Sequence, residues 1–221
     1  MYKKKAFFIV FEGVEGCGKS FQSKKLLNNL KKKKLPTILT REPGGTKSAE
    51  LIRDLILKDY FNKDNKEKFD KYTDTLLYLA ARNEHIKNKI IPALKKKQIV
   101  ICDRFTDSTL AYQYYGKQVK LSFINNIHKY ILNGLKPNIT FILKVTTDAS
   151  RKRLKLRKNK NRYDNFAQSF YTRAQKSFLK IAKGKRNYFI LNSSANDNNL
   201  EKEILKIVCK YLKKNDTSSI F

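Results

Sequence analysis

The stretch Phe11-Glu12-Gly13-Val14-Glu15-Gly16-Cys17-Gly18-Lys19-Ser20 decides the fold. Gly13, Gly18, Lys19 and Ser20 fill the fixed positions of a G-x-x-x-x-G-K-S phosphate loop. In such a loop glycines let backbone N–H groups turn toward phosphate oxygens, the lysine reaches the outer phosphates and the serine hydroxyl faces Mg²⁺. Gly13, Val14, Glu15, Gly16, Cys17, Gly18, Lys19 and Ser20 are therefore the candidate contacts of a nucleoside triphosphate. The flanks supply the context that the motif requires. Ala6 to Phe11 is a short run of apolar and aromatic residues, as in a buried strand, and Phe21, Leu26, Leu27 and Leu30 give the following segment a helical pattern. A helix starting near Lys19 aims the positive end of its dipole at the phosphates.

Working outward, 221 residues with 41% hydrophobic content can bury one substantial core, so residues 1–221 read as one α/β domain. Met1-Tyr-Lys-Lys-Lys followed by an apolar run imitates a secretory leader, but the run stops at Glu12 without a cleavage site and reads as the first strand. No stretch is long and apolar enough to span a bilayer, which predicts a soluble protein with no membrane partner. Cys17, Cys102 and Cys209 lack metal-ligand or disulfide spacing, which fits a reducing cytoplasm. His85 and His128 have no carboxylate or cysteine at ligand spacing and read as surface or half-buried helix residues. The net charge of +30 would suit a polyanion partner. Its lysines are spread out, however, with runs at 31–34, 95–97 and 213–214 placed at predicted helix ends, so they read as solvated surface and nucleic acid is not required.

Beyond the first helix, strands are expected at Pro36–Thr40, Gln98–Cys102, Ile139–Val145 and Tyr188–Leu191. Helices are expected at Glu50–Leu57, from Tyr72 to Ile91 with a stop near Pro92, at Leu121–Leu132, on either side of the basic stretch 158–161, and at Leu200–Leu212. Residues 214–221 read as a frayed tail. Alternation of this kind implies a parallel sheet with helices on both faces, whose ligands gather at the carboxyl ends of the strands. Two such ends carry charge. Thr40-Arg41-Glu42-Pro43-Gly44-Gly45-Thr46 is a tight turn beside a cation, and Asp103-Arg104 places a carboxylate, for a Mg²⁺-bound water or for orienting a nucleophile, next to a guanidinium for a second phosphate.

The combination of residues 12–20, 40–46, Asp103-Arg-Phe-Thr-Asp-Ser-Thr-Leu-Ala-Tyr-Gln113 and Pro137-Asn-Ile-Thr-Phe-Ile-Leu143 closely resembles bacterial-type thymidylate kinases, over about Phe7 to Leu212. The resemblance implies a phosphate-loop fold with a five-stranded parallel sheet flanked by helices, a small basic lid at about 155–166, and a homodimer. It implies transfer of the γ-phosphoryl group of ATP to dTMP with Mg²⁺, held at Ser20 and Asp103. Carried over residue by residue, Glu15, Arg41 and Arg104 meet the dTMP phosphate region. Tyr78 and Arg82, four apart on one helix face, stack on the base and bond its carbonyl edge. Ser108, Thr109, Tyr112 and Gln113 contact base and sugar, with Tyr112 crowding a ribose 2′-hydroxyl.

In the bacterial form a lid supplies the cations that the phosphate loop lacks, and Lys155, Arg157 and Arg162 fall in the matching stretch. Lys19, Asp103, Arg157 and Arg162 are thus the expected catalytic set. Closing arginines over the transferring group offsets its spread negative charge. Four positions depart from the family's pattern: Phe21 for threonine, Phe105 for tyrosine or histidine, Lys144 for an acid and Gln175 for arginine.

Overall fold

The computed structural model describes residues 6–58, 68–156, 168–195 and 199–214. Five strands, β1 (Phe7–Glu12), β2 (Thr37–Arg41), β3 (Ile99–Asp103), β4 (Ile139–Lys144) and β5 (Tyr188–Asn192), form a parallel sheet in the order β2-β3-β1-β4-β5. The helices are α1 (Lys19–Lys32), α2 (Lys47–Leu57), α3 (Lys71–His85), α4 (Ile91–Lys95), α5 (Thr106–Thr109), α6 (Leu121–Leu132), α7 (Thr147–Lys155), α8 (Gln168–Ala182) and α9 (Asn199–Lys214). Among these, none is long and apolar enough to cross a membrane.

Every residue of β1 is buried, as expected of a central strand covered on both faces. Phe7, Ile9 and Phe11 join the core built with α1, α8 and α9, through residues such as Leu26, Phe178 and Ile204. Phe8 and Val10 join a second core with Val100, Ile86, Ile90 and Phe105 on the opposite face. Alternation along one strand thus feeds two cores, which is why the sequence reads as a continuous apolar run rather than a period of two.

The predicted stop of the third helix near Pro92 is corrected. A π-helical turn at Ile86–Ile90 follows α3, the Ile91 N–H reaches back to the Ile86 carbonyl, and helix resumes through Pro92 to Lys95. Proline at the start of a helical segment has no N–H to leave unpaired, and the widened turn before it makes room for the ring. Residues 106–114, which carry no amphipathic period, also form helix: α5 runs directly into a second π turn at Leu110–Tyr114.

Register places the strand ends that matter side by side. Phe11 pairs with Asp103, and Asp103 with Arg41. The Arg104 N–H then donates to the Phe11 carbonyl at 2.9 Å, and the Glu42 N–H to the Asp103 carbonyl at 3.0 Å. The turns after β1, β2 and β3 are thereby locked together.

Candidate active site

The phosphate loop leaves β1 at Gly13, with φ +138°, where an added Cβ would lie 2.6 Å from the Leu143 carbonyl oxygen. It enters α1 through Gly18, whose left-handed φ of 90° turns the chain into the helix without a side-chain cap. Both positions are closed to side chains for these reasons. Lys19 is buried, and its ammonium donates to the carbonyls of Gly13 (3.0 Å) and Val14 (2.8 Å). The Ser20 hydroxyl donates to Asp103 Oδ2 across the loop. Val14 and Cys17 are buried behind the loop.

A cleft of about 530 Å³ opens on this loop. Glu15, Gly16, Gly18, Lys19 and Ser20 line it from one side, Arg41 and Asp103 from the strand ends, and Tyr78, Arg82, Arg104, Ser108, Thr109, Tyr112 and Gln113 from the other. The structure therefore brings the sequence candidates on β2, β3, α3, α5 and the second π turn to one place. Arg157 and Arg162 lie outside the described residues, as do most of the lid stretch and the 215–221 tail.

Arg104 is held from several sides. It adopts φ +74°, and its Nη2 donates to Glu15 Oε1 at 2.7 Å. Its Nη1 donates to the Gly13 carbonyl at 2.9 Å and to Ser108 Oγ at 3.0 Å, while the guanidinium lies 5.3 Å from the Tyr112 ring centroid. The Tyr112 hydroxyl donates to the other Glu15 oxygen at 2.7 Å. Burial alone would raise the Glu15 pKa, but the Arg104 and Lys19 charges and the Tyr112 bond hold it below the usual carboxylate range.

Arg82 is buried and already committed. Its Nε donates to Glu42 Oε2 at 2.7 Å, Nη1 to Thr109 Oγ1 at 2.8 Å and to His128 Nε2 at 2.7 Å, and Nη2 to the Phe105 carbonyl at 2.8 Å. Four of its five N–H groups are so placed, which leaves one on Nη2, and Arg82 lines the cleft. Burial raises the Glu42 carboxyl, yet Arg82 and His85 outweigh it and keep it low. The reading of His85 and His128 as surface or half-buried residues is corrected: they are 0% and 7% exposed. His85 bridges Glu42 Oε1 (3.1 Å) and Thr40 Oγ1 (2.6 Å), and these partners make its burial tolerable.

Arg41 is half-exposed, with Nη2 3.2 and 3.0 Å from the two oxygens of Glu50. Two cleft arginines were missed by sequence reasoning. Arg53 stands one turn from Glu50 and donates to the Pro43 carbonyl at 2.6 Å; Arg153 from α7 donates to the Gly16 carbonyl at 3.2 Å and the Ser193 carbonyl at 2.7 Å. The only sequence signal for Arg53 is its i,i+3 spacing from Glu50, and Arg153 has none beyond its place in a basic run.

The four departures are accommodated. Phe105 packs edge-on against Phe8 with centroids 5.1 Å apart, Gln175 Oε1 accepts the Val145 N–H at 3.0 Å, Lys144 is exposed, and Phe21 stands 60% exposed at the cleft.

The family model described as thymidylate kinase matches residues 11–204. A thymidylate kinase from Wolbachia sp. subsp. Brugia malayi (strain TRS) is 42% identical, covering 87% of this chain and 90% of its own length. Another, from Wolbachia pipientis subsp. Culex pipiens (strain wPip), is 41% identical over 92% and 96%. The crystal structure of thymidylate kinase from Ehrlichia chaffeensis superposes with a TM-score of 0.73 at 32% identity, covering 92% of this chain and 99% of that one. A phosphate loop facing a polar, arginine-rich cleft at the carboxyl ends of a five-stranded parallel sheet, together with these matches, means that the chain belongs to the thymidylate kinase family of phosphotransferases.

Proposed function

We propose that the cleft brings ATP and dTMP together so that a dTMP phosphate oxygen attacks the γ-phosphorus in line. The Pγ–O bond to ADP breaks as the new one forms, and ADP keeps the electron pair. Because the nucleophile is already an oxyanion, no strong base is needed and catalysis consists of holding and neutralising charge. Lys19 exchanges its loop carbonyls for donor phosphate oxygens. Arg41, Arg53 and Arg104 meet the acceptor phosphate, and Glu15 orients Arg104 and Tyr112 at the sugar. Arg157 and Arg162 are assigned to the transferring group.

The Ser20 hydroxyl and the Asp103 carboxylate, in mutual contact at the loop, are the hard oxygen donors that suit Mg²⁺. Held by these two residues, the ion would supply positive charge to offset that of the donor phosphates. Leu51 and Leu55, four apart on α2, and Leu76 on α3 are exposed apolar side chains, at 71%, 44% and 46%, of the kind a homodimer interface would cover. A cytoplasmic setting keeps Cys17, Cys102 and Cys209 reduced.

The observation that carries the substrate reading is Gln113. It is 1% exposed on the cleft wall, and its Nε2 has no partner among the described residues. A buried amide with a free donor, on a cleft that Arg82 also lines, suits a base that offers a carbonyl beside an N–H, as thymine does. Steady-state turnover with ATP and dTMP, dUMP, dCMP, dGMP or UMP tests this. The expected order has dTMP first; a higher kcat/KM for dCMP or dGMP would overturn it.

A further inference from the structure

We propose that Glu12, the last residue of β1, is a positioning residue that sets the acceptor-side guanidinium of Arg104 through Ser108. The inference rests on the reading that Arg104 meets the acceptor phosphate.

The chain between β3 and α5 turns sharply, with Arg104 at φ +74°. The helix that follows, α5, is four residues long and is preceded at its N-cap position by Phe105, whose side chain cannot cap it. Its first N–H groups therefore need acceptors from elsewhere. Glu12 supplies them from another strand. Its Oε1 accepts the N–H groups of Phe105 at 2.8 Å and Ser108 at 3.1 Å, and its Oε2 lies 2.6 Å from Ser108 Oγ. The carboxyl is 0% exposed, so nothing in solvent substitutes for it.

Ser108 carries the constraint onward, because its Oγ accepts from Arg104 Nη1 at 3.0 Å. The same guanidinium is held on its other side by the Gly13 carbonyl and by Glu15. Three residues of the run 12–15 thus orient one arginine that follows β3, and the start of the donor-phosphate loop fixes the cation of the acceptor. Burial and the neighbouring Asp107 carboxylate push the Glu12 carboxyl up to about 8. The link survives either protonation state. Ionised, Glu12 accepts the Ser108 proton; protonated on Oε2, it donates to Ser108, which keeps a second lone pair for Arg104.

The variants follow from this geometry. Glu12→Gln keeps an acceptor for the two N–H groups and a polar link to Ser108, and is expected to leave the dTMP KM within about threefold of wild type. Glu12→Leu fills the same space but removes every contact. It is expected to raise the dTMP KM about tenfold or more while the ATP KM changes less than about threefold. Adding Ser108→Ala to Glu12→Leu should then cost less than Ser108→Ala costs alone, because the coupling runs through that hydroxyl. Glu12→Asp, which withdraws the carboxylate by about 1.5 Å, should give a smaller rise in the same constant and serves if the leucine variant does not fold. Equal rises in both KM values, or additive effects of Glu12 and Ser108, would overturn the proposal. Arg104→Gln separates the two failures. If it leaves the dTMP KM unchanged, the assignment of Arg104 to the acceptor is wrong; if it raises that KM and neither Glu12→Leu nor Glu12→Asp does, only the role of Glu12 is wrong.

Discussion

Acidifying the protein from pH 7.5 to 5 should cost the folded state about 2 kcal/mol through His128 alone. The ring is 7% exposed, with Nε2 2.7 Å from Arg82 Nη1. A guanidinium only donates, so Nε2 accepts and the imidazole is neutral. Burial, and then the Arg82 charge, push its pKa from 6.5 down to about 3. Below 6.5 the unfolded chain therefore takes up a proton that the folded chain refuses until about 3. Stability is unaffected above that window and falls as pH falls through it. Each pH unit inside the window is worth about 1.4 kcal/mol, and at pH 5 the sum is about 2 kcal/mol. His128→Gln offers an amide oxygen to the same N–H without titrating. Urea unfolding of both proteins at several pH values isolates the effect, since every other group cancels in the difference. The stability of wild type relative to the variant should drop by about 2 kcal/mol between pH 7.5 and 5. A difference constant to within about 0.5 kcal/mol over that range would refute a neutral, buried His128.

Glu42→Gln leaves Arg82 buried without its counter-charge, so unfolding should become easier by about 3–5 kcal/mol, read as a fall in Tm. Gly13→Ala places a methyl 2.6 Å from the Leu143 carbonyl oxygen and 2.8 Å from Cys17 Sγ. Calorimetric titration should show ATP affinity at least about tenfold weaker, and unchanged affinity would mean that the loop opens freely. Arg157→Gln should lower kcat about 10²–10³-fold with both KM values within about threefold; a matching loss in KM would make it a ground-state contact instead. Leu51→Lys should convert a dimer into a monomer in sedimentation velocity, and a variant that sediments as wild type would move the interface elsewhere.

The strands were legible because a sheet covered on both faces needs unbroken apolar runs, and Ala6–Phe11, Gln98–Cys102 and Ile139–Val145 fall within a residue of β1, β3 and β4. The helix through Pro92 was not, since local rules cannot foresee a π turn set by packing of Ile86 and Ile90 in the core. Residues 106–114 hide their helix for a related reason: Asp107, Ser108 and Thr109 are buried against polar partners and Gln113 is buried on the cleft wall, so apolar periodicity says nothing about them. The burial of the two histidines was not legible because their partners, Thr40 and Glu42 for His85 and Arg82 for His128, lie more than forty residues away along the chain. Arg104 was found from its place at a charged strand end, and Tyr78 and Gln113 through motif resemblance, whereas Arg53 and Arg153 look like any arginine on a helix surface.

The four bonds that fix Arg82 have a consequence for any compound aimed at that end of the cleft. A free arginine gives up about 2 kcal/mol of side-chain freedom when a ligand captures it, but this one has been immobilised by Glu42, Thr109, His128 and Phe105 beforehand. Its charge is likewise offset by Glu42 at 2.7 Å. An anionic group added to an inhibitor would find little net attraction there. A flat ring of the right outline with one well-placed acceptor would bind without the usual entropic loss, so at this wall shape, more than charge, sets the limit on potency.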